Sequence, residues 1–419
     1  MREMKDSGIS WVGEIPKEWS VKKIKHISYV IGGNGFNVEL QGLESGDYPF
    51  CKASDISNAG KYLDKAANYV TFDIVRDQHY NIIPKGAILF PKIGEAMKKN
   101  NRTICVLDCC VDNNCQAIVP FERNSGMFLY YILTCVNMGW FDNAGTIPCM
   151  NNRKFLNSKV PFPSIDEQQR IAEFLDRECG KIDGLKADIQ AQIDTLEQYK
   201  RSVITEAVTH GLNPSAPMKD SGIPWVGKTP EYWKVGRIGG LYELRNQKVS
   251  DKDFMPLSVT MKGILPQLET AAKTNDGDNR KLVRVGDFAI NSRSDRRGSC
   301  GISDYDGSVS LINTILKPRN RMNAKYYNWL FHTPMFADEF YKWGHGIVDD
   351  LWTPNWSEMK RISITLPPLD EQQEIADYLD NKCAAIEQII ADKKSQIETL
   401  DGYKKSLIYE YVTGKKEVV

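Results

Sequence analysis

Two basic loops carry the side chains in this sequence that are best suited to contact a nucleic acid. One lies within residues 280–297, where six Arg or Lys accompany only two Asp, and the other lies within residues 91–103. Arg can donate two hydrogen bonds to guanine and Asn can pair with adenine, while Lys and Arg also hold phosphates. A solvated charged loop is the alternative, but matching placement in both halves favours DNA binding. The candidate residues are Lys92, Lys98, Lys99, Asn101 and Arg102 in the first loop, and Asn291, Arg293, Arg296 and Arg297 in the second.

The other residues that could carry chemistry predict no catalytic or metal site. Cys105, Cys109, Cys110 and Cys115 lack the C-x2-C spacing of a zinc site, and no His lies close to them. The glycine-rich stretch 32–35 fits a turn better than a phosphate-binding loop. The five His show no triad spacing, and the Asn-Pro-Pro-aromatic signature of amino-methyltransferases does not occur. We therefore expect no catalytic residue, metal or cofactor in this chain.

A long repeat predicts the elements that must position the two loops. Residues 166–209, beginning DEQQRIAEFLD, match residues 370–413, beginning DEQQEIADYLD, at 23 of 44 positions. Apolar residues recur every seven positions in both copies, which is typical of a coiled-coil seam. Each copy predicts one helix, which would be about 66 Å long at 1.5 Å per residue. The seam residues are Leu175, Ile182, Ile189, Leu196 and Val203 in the first copy, and Leu379, Ile386, Leu400 and Leu407 in the second.

The starts of both helices carry capping signals, and their length indicates a partner. Ser164 with Glu167 predicts a capping box, and Asp370 with Gln373 predicts a cap for the second helix. Packing of each helix only on its own domain is the alternative. A seam of this length that occurs twice favours a partner helix of equal length instead.

A shorter repeat opens each half of the chain. Residues 4–24 and 218–238 match at thirteen of 21 positions, and Trp19 matches Trp233. Trp-Val-Gly followed by Pro-x-x-Trp predicts a turn that two indole rings fix to a core, with stacking on a ligand as the alternative. Between this opening and the helix, each half reads as short strands with turns and then a helix. We predict one α+β fold, used twice with strongly diverged surfaces.

The order of the parts is globule, long helix, globule, long helix. If the second helix packs along the first, it must run back, so we predict an antiparallel coiled coil with a pseudo-two-fold axis near its middle. Leu175 should then lie near Leu407, Val203 should lie near Leu379, and the C-terminus should return close to Met1. The predicted parts are a first domain at 1–163, a helix at 164–210, a linker at 211–217, a second domain at 218–367 and a helix at 368–414.

Charge and composition narrow the class of protein. The 54 Lys and Arg balance the 54 Asp and Glu, so DNA binding must rest on local patches rather than on a whole-chain excess of positive charge. No apolar run reaches the ~18 residues of a membrane span. The ten Cys do not indicate a disulfide framework, and no secretory signal is visible. We expect reduced thiols and a cytoplasmic location.

Two unlike heads held a fixed distance apart would suit an asymmetric, split DNA sequence with an unread gap. Modules that enter one face of a duplex sit about 34 Å apart, or a multiple of that distance. A rigid helical spacer can set such a separation. The gap itself is not predicted to a base pair, because helix length fixes it only within about one turn of DNA.

The chain resembles, over essentially its whole length, the specificity subunit of a type I restriction–modification system. The resemblance is carried by the two tryptophan-containing openings and by PFPSIDEQQ at 161–169 and LPPLDEQQ at 366–373, each leading into a long helix. It implies two α/β target recognition domains, each reading one half of a bipartite double-stranded DNA site, separated by a long antiparallel two-helix coiled coil. It also implies that the helices act as a molecular ruler and dock two methyltransferase subunits. Those partners would bind S-adenosylmethionine, and a restriction subunit can join them.

Three alternatives stay open at this point. The chain could serve a complex that only methylates DNA, or it could be a non-enzymatic scaffold whose coiled coil mediates only self-association. An enzyme with an unrecognised active site is the third, and against it stands the lack of an acid/base or nucleophile motif shared by both halves. The bases that the chain would read are not predicted, because target-domain sequences vary widely within such a family.

Overall fold

The chain folds as two compact units. Unit 1 comprises Met1–Ile189 and Ser395–Val419, and unit 2 comprises Gln190–Lys394. Each unit contains one globular head and segments of both long helices. The computed structural model describes residues 2–122, 124–143, 145–267, 277–293, 297–319, 322–344 and 354–418.

The head of unit 1 is made of short strands and helices that precede the first long helix. Its strands are β1 (Met4–Asp6), β2 (Glu14–Pro16), β3 (Ser20–Lys23), β4 (Ser28–Gly32), β5 (Tyr48–Cys51), β6 (Tyr62–Leu63), β7 (Tyr69–Val70), β8 (Ile88–Pro91), β9 (Thr103–Cys105), β10 (Cys110–Val111), β11 (Cys115–Pro120) and β12 (Lys159–Phe162). Its helices are α1 (Ala53–Asn58), α2 (Phe72–Asp77), α3 (Glu95–Lys98), α4 (Gly126–Cys135) and α5 (Asn152–Asn157), followed by the long α6 (Ile165–His210).

A five-stranded sheet of order β4-β11-β8-β9-β6 organises this head. Strand β11 pairs antiparallel with both β4 and β8, which places Ile118 opposite Val30 on one side and Ile88 on the other. Helix α4 begins where the Ser125 hydroxyl accepts a hydrogen bond from the Phe128 amide. Because α4 is apolar on the side that faces the sheet, its residues share one core with β8 and β11.

The head of unit 2 follows the same plan. Its strands are β13 (Met218–Asp220), β14 (Lys228–Pro230), β15 (Lys234–Arg237), β16 (Tyr242–Leu244), β17 (Lys248–Val249), β18 (Leu257–Thr260), β19 (Gly263–Pro266), β20 (Arg280–Val283), β21 (Phe288–Asn291), β22 (Cys300–Ile302), β23 (Gly307–Val309), β24 (Asn313–Pro318) and β25 (Ser363–Leu366). Its helices are α7 (Ile238–Leu241), α8 (Ala324–Phe331), α9 (Pro334–Lys342) and α10 (Trp356–Met359), followed by the long α11 (Leu369–Val412).

The sheet of unit 2 has the order β16-β24-β21-β22, which matches β4-β11-β8-β9 strand for strand. Phe288 in β21 lies opposite Leu316 in β24. Before β8 and β21, Gly86 and Gly286 adopt the left-handed region, with φ of 83° and 86°. A residue with a Cβ is disfavoured there, so the two glycines make the same turn. The prediction of one α+β fold used twice is confirmed.

In unit 1, the first part of α6 packs antiparallel on the last part of α11. Leu175 and Leu407 are buried in one core, as the antiparallel pairing predicts. Lys186 bonds to Asp401 at 2.5 Å and Asp183 to Lys404 at 2.7 Å, so residue numbers fall on one helix as they rise on the other. The C-terminal segment also returns to the start of the chain, since the guanidinium of Arg2 bonds to the carboxylate of Glu417 at 3.0 Å.

In unit 2, the last part of α6 packs antiparallel on the first part of α11. Val203 and Leu379 are buried in one core. Lys200 pairs with Glu387, and Lys393 donates to the side chain of Gln192 at 2.5 Å. Exposed ion pairs contribute less than about 1 kcal/mol each, whereas burial of one Leu contributes about 1.5–3 kcal/mol. The apolar seam therefore provides most of the stability, and the polar pairs help to fix the register.

A buried carboxylate joins the opening of unit 1 to the start of α6. Glu167 accepts a hydrogen bond from the Trp19 indole N–H at 2.9 Å and one from the Arg2 guanidinium at 2.5 Å. Gln168 accepts a bond from the amide of Ser125, the N-cap of α4, at 3.2 Å and donates to the Pro163 carbonyl at 3.0 Å. Glu167 and Gln168 of the long repeat thus connect the opening segment at residues 4–24 and the start of α4 to the start of α6.

Unit 2 repeats this arrangement. Glu371 accepts a bond from the Trp233 indole N–H at 2.9 Å. Gln372 accepts a bond from the amide of Asn323, the N-cap of α8, at 2.9 Å and donates to the Pro367 carbonyl at 2.8 Å. Trp19 and Trp233 are both fully buried. The prediction that the tryptophans fix a turn to a core is confirmed.

The capping predictions are only partly right. The Ser164 hydroxyl accepts a bond from the Glu167 amide at 3.4 Å, but the Glu167 carboxylate does not return to Ser164 because Trp19 and Arg2 engage it. In the second helix, Asp370 lies inside the first turn of α11, which begins at Leu369. The predicted cap by Asp370 and Gln373 is therefore wrong.

We predict that Glu167→Gln lowers the free energy of unfolding by about 2 kcal/mol. The substitution weakens the acceptor for the Trp19 indole and leaves the Arg2 guanidinium without its buried partner. Denaturant unfolding of the full chain measures the change. Glu173→Gln on the exposed face of the same helix is the matched control and should have little effect. Equal stability of the two variants would contradict a clamping role for Glu167.

Candidate nucleic-acid interface

The two candidate loops occupy equivalent places in the two heads. Loop 1, residues 92–102, joins β8 to β9, and loop 2, residues 292–299, joins β21 to β22. The matching placement that the sequence indicates is therefore present in the fold. Arg296 lies outside the described residues, since residues 294–296 are not described.

Loop 1 is held by polar groups that point inward. Asn100 adopts the left-handed region with φ of 63°, which Asn tolerates better than most residues. Its carboxamide oxygen accepts bonds from the Met138 amide at 2.9 Å and from the Arg102 guanidinium at 3.0 Å. Arg102 also donates to the carbonyls of Asn100 and Val136. Its side chain is thereby directed into the protein and shapes the loop.

Burial has a clear electrostatic effect on Arg102. Only 6% of this residue is exposed, and desolvation lowers the pKa of the guanidinium to about 10. A guanidinium with this pKa stays charged at neutral pH. Its partners are carbonyl oxygens, and no carboxylate accompanies it among the described residues. Loop 1 therefore contains a buried positive charge that is only partly compensated.

The remaining candidates of loop 1 reach solvent to different degrees. Lys98 and Lys99 are exposed, while Asn101 and Lys92 are half-buried. Lys98 pairs with Glu95 one turn before it, at 3.1 Å. Lys99 and Asn101 make no side-chain hydrogen bond within the part of the chain that the structure describes. Lys98 and Lys99 therefore provide the solvent-accessible positive charge of loop 1, and Asn101 provides a partly accessible carboxamide.

Loop 2 is anchored in a different way. The Tyr341 hydroxyl on α9 donates to the Arg293 carbonyl at 2.7 Å. Asn291 is only 8% exposed, and its carboxamide oxygen accepts a bond from the Arg293 amide at 3.1 Å. Arg297 is exposed, lies 4.9 Å from the centre of the Tyr341 ring and contacts Asp338 at 3.4 Å. The side chains of Arg293 and Arg297 reach solvent, whereas that of Asn291 supports the loop.

A second repeated carboxylate fixes each head to its long helix. Asp176 on α6 accepts a bond from the Tyr131 hydroxyl on α4 at 2.5 Å and pairs with Lys61. At the equivalent position of α11, Asp380 accepts bonds from the Trp329 indole and the Lys325 ammonium, both at 2.9 Å. Sequence reasoning missed this contact, although the aspartate recurs in both long repeats. It gives each loop a fixed position relative to the helices of its own unit.

The cysteines and the glycine-rich turn provide no further chemistry. All ten thiols are free, and no group of metal ligands is found among the described residues. Burial raises the pKa of the Cys110 thiol to about 12, so it is protonated and unreactive at neutral pH. A Cβ at Gly33 would lie 1.9 Å from the Asp112 carbonyl. The glycine is thus required for close backbone packing within the turn.

The chemistry that this arrangement supports is binding rather than catalysis. Exposed Lys and Arg side chains on a fixed loop can hold phosphates of a duplex, and they need no nucleophile or general base. The inward positions of Arg102 and Asn291 shape the loops without offering their polar groups to a base edge. Among the helices that the structure describes, none combines the length and the hydrophobicity of a transmembrane span.

Comparisons with known proteins agree with this picture. A family model described as the type I restriction modification DNA specificity domain matches residues 16–195 and 230–399. The putative type I restriction enzyme MjaX specificity subunit of Methanocaldococcus jannaschii is 24% identical over an alignment of 439 residues, and the match covers 97% of this chain and 96% of that protein. The type I restriction enzyme MjaIX specificity subunit of the same organism is 26% identical over an alignment of 248 residues, and the match covers 56% of this chain and 54% of that protein.

A solved structure also shares the fold. It comes from work on complex assembly and conformational transition of the type I R-M system, and it matches with a TM-score of 0.65. The match covers 96% of this chain and 99% of that chain at 14% identity. At this identity the likeness concerns the fold alone.

Proposed function

Because the chain belongs to the family of type I restriction–modification DNA specificity subunits, we propose that it reads a bipartite double-stranded DNA site, one part through each unit. Specificity subunits are the non-catalytic components of such systems. The observation that carries the proposal is the pair of basic loops on equivalent strands. Their sequences and anchoring residues differ, so they present different surfaces, as two unlike half-sites require.

The exposed cations of the loops are the proposed phosphate contacts. In loop 1 these are Lys98 and Lys99, with Asn101 beside them, and in loop 2 they are Arg293 and Arg297. Phosphate contacts supply affinity and orientation, while base contacts supply specificity. Arg102 and Asn291 are proposed not to contact DNA themselves but to hold the backbone of their loops in the conformation that presents the exposed side chains.

We also propose that the helix pair docks a methyltransferase subunit in each unit. In unit 1, Leu185 and Tyr403 are 53% and 57% exposed. If the seam residues Ile182 and Leu400 are assigned to heptad position d, both side chains occupy position g. Asp183 and Asp401, which pair with the facing helix, then occupy position e on the other side of the seam. Two large apolar side chains on one outward side are typical of a contact surface.

Unit 2 offers the same surface at equivalent positions. Tyr199 and Ile389, which correspond to Tyr403 and Leu185 in the long repeat, are 47% and 45% exposed. The Lys382 ammonium lies 5.6 Å from the centre of the Tyr199 ring, so the g positions of the two helices adjoin in this unit. Two surfaces of the same chemistry favour two copies of one partner. In this proposal the partner binds S-adenosylmethionine and methylates adenine, and a restriction subunit can join the complex.

Deletion of the gene should remove one split methylation motif from the host genome. Genome-wide mapping of modified adenines, with and without the gene, measures this directly. Return of the motif on complementation with the unaltered gene is the control. An unchanged adenine map would contradict the proposed function.

Replacement of Arg293 and Arg297 by Ala should weaken binding of the methyltransferase complex to its DNA site. It should also reduce the slope of log affinity against log salt by about 2, because each neutralised phosphate contributes about 0.9. Affinity is measured by titration of labelled duplex at several salt concentrations. Arg361→Ala, an exposed arginine outside loop 2, is the matched control. The same slope in both proteins would exclude these side chains from the interface.

Tyr403→Ser should abolish docking of one methyltransferase subunit, and Tyr403→Ser combined with Tyr199→Ser should abolish docking of both. Each change replaces an exposed aromatic anchor with a small polar group, which lowers affinity without opening the seam. Native mass spectrometry of the reconstituted complex counts the subunits. Tyr378→Ser, on the same helix as Tyr403 but at position c, is the control and should retain both copies. Full occupancy of the double variant would contradict this docking surface.

A further inference from the structure

Unit 1 contains a cleft of about 1210 Å³ between its head and its two helical segments. Loop 1 forms one wall through Lys99 and Arg102, and α11 forms another through Lys404 and Lys405. The volume is somewhat larger than the roughly 300–1,000 Å³ that is typical of small-molecule binding sites, so a ligand of the size of a nucleotide can enter. This cleft lies inside the unit and is distinct from the outward surface of the helix pair.

The charges in the cleft do not cancel. Each acidic side chain that lines it already has a cation: Asp176 pairs with Lys61, Asp183 pairs with Lys404, and Asp401 pairs with Lys186. Within the described ranges, Lys99 and Lys405 have no acidic partner. The lining therefore retains positive charge that an anionic ligand would neutralise.

Arg102 strengthens this conclusion. Its guanidinium is buried, lines the cleft and is held by carbonyl oxygens only. The Nε–H has no acceptor among the described residues. A buried cation without a counter-ion is costly, and an unsatisfied buried donor adds to that cost. An anion bound in the cleft would reduce the first of these costs through its charge.

Aromatic rings complete the lining. The Trp11 and Trp140 rings lie 6.2 Å apart, and about half of the Trp140 and Tyr62 side chains is exposed. Exposed flat rings beside lysines are a combination that binds a base by stacking and its phosphate by charge. An acidic peptide would use the lysines but would leave the exposed rings without a matching flat group.

We propose that the cleft binds a nucleotide, with the base against the Trp140 or Tyr62 ring and the phosphate near Lys99 and Lys405. The site is additional to the duplex contacts of the proposed function. The nucleotide can come from the free pool or from an unpaired stretch of DNA, and both sources offer the same base and phosphate. Lys99 also belongs to loop 1, so the experiment relies on Trp140 and Lys405, which lie outside both loops.

Titration of the 419-residue chain with deoxyadenosine monophosphate, a short single-stranded oligothymidylate, deoxyadenosine, inorganic phosphate and an acidic peptide such as oligoglutamate tests the proposal. Tryptophan fluorescence and calorimetry report binding. The mononucleotide or the oligonucleotide should bind at least about tenfold more tightly than nucleoside or phosphate alone, because only they supply both stacking and charge. Tighter binding of the oligonucleotide indicates unpaired DNA, and equal binding indicates the free pool. Failure of both to bind, or tighter binding of an acidic peptide, would overturn the proposal.

Variants locate the site. Lys405→Ala and Trp140→Ala should each weaken nucleotide binding by about tenfold, through loss of a charge-assisted bond and of stacking respectively. Trp140→Phe should retain most of the affinity because it keeps a flat ring. Lys85→Ala, which changes an exposed lysine that lies outside loop 1 and does not line the cleft, is the matched control. Duplex binding measured in parallel should be unchanged in the Lys405 and Trp140 variants, which separates this site from the reading loops. Nucleotide affinity that is unaffected by both alanine variants would refute the assignment.

Discussion

Antiparallel packing of the long helices determines which parts of this chain can fold together. In unit 1 the head packs against the start of α6 and the end of α11, so residues near both chain ends share one core. Gly414 follows α11 with φ of 73°, and a Cβ there would lie 2.3 Å from the Pro16 ring. In unit 2, Gly211 follows α6 with φ of 74°, and a Cβ there would lie 2.7 Å from the Glu371 carboxylate and 3.3 Å from the Trp233 ring. The C-terminal end of each long helix thus packs on the turn that contains Trp19 in unit 1 or Trp233 in unit 2. This contact explains why residues 4–24 and 218–238 are repeated together with the long helices.

Apolar and polar contacts have different roles in this packing. Burial of the seam is worth about 25 cal/mol per Å² but tolerates sliding of one helix along the other. The carboxylates Glu167 and Glu371 each meet one indole N–H, and each glutamine beside them meets one N-cap amide. Such bonds are directional, and loss of the donors would be costly for Glu167, which is buried, and less so for Glu371, which is half-buried. The hydrogen bonds of these Glu-Gln pairs therefore select one register of the two helices among those that the apolar seam alone would allow.

Much of the fold could be predicted because it is encoded in periodicity and repetition. The seven-residue spacing predicted both long helices to within one or two residues of their ends, and the chain order predicted Leu175 beside Leu407. The role of Glu167 was read wrongly, because a capping box and a contact with a distant indole share the same local sequence. Spacing along one helix cannot reveal that this carboxylate accepts a hydrogen bond from Trp19, which lies 148 residues away in the chain.

The candidate loops show why site residues are harder to predict than elements. Composition identified both loops, and the fold places them on equivalent strands. Composition could not show that Arg102 turns inward, because its direction depends on the Val136 carbonyl, which lies 34 residues away in the chain. Loop 2 relies instead on Tyr341, from a helix that follows the sheet. Since inward groups fix each backbone, the outward side chains can change without loss of the fold. One scaffold can therefore carry two different binding surfaces, and their specificities must be measured for each loop separately.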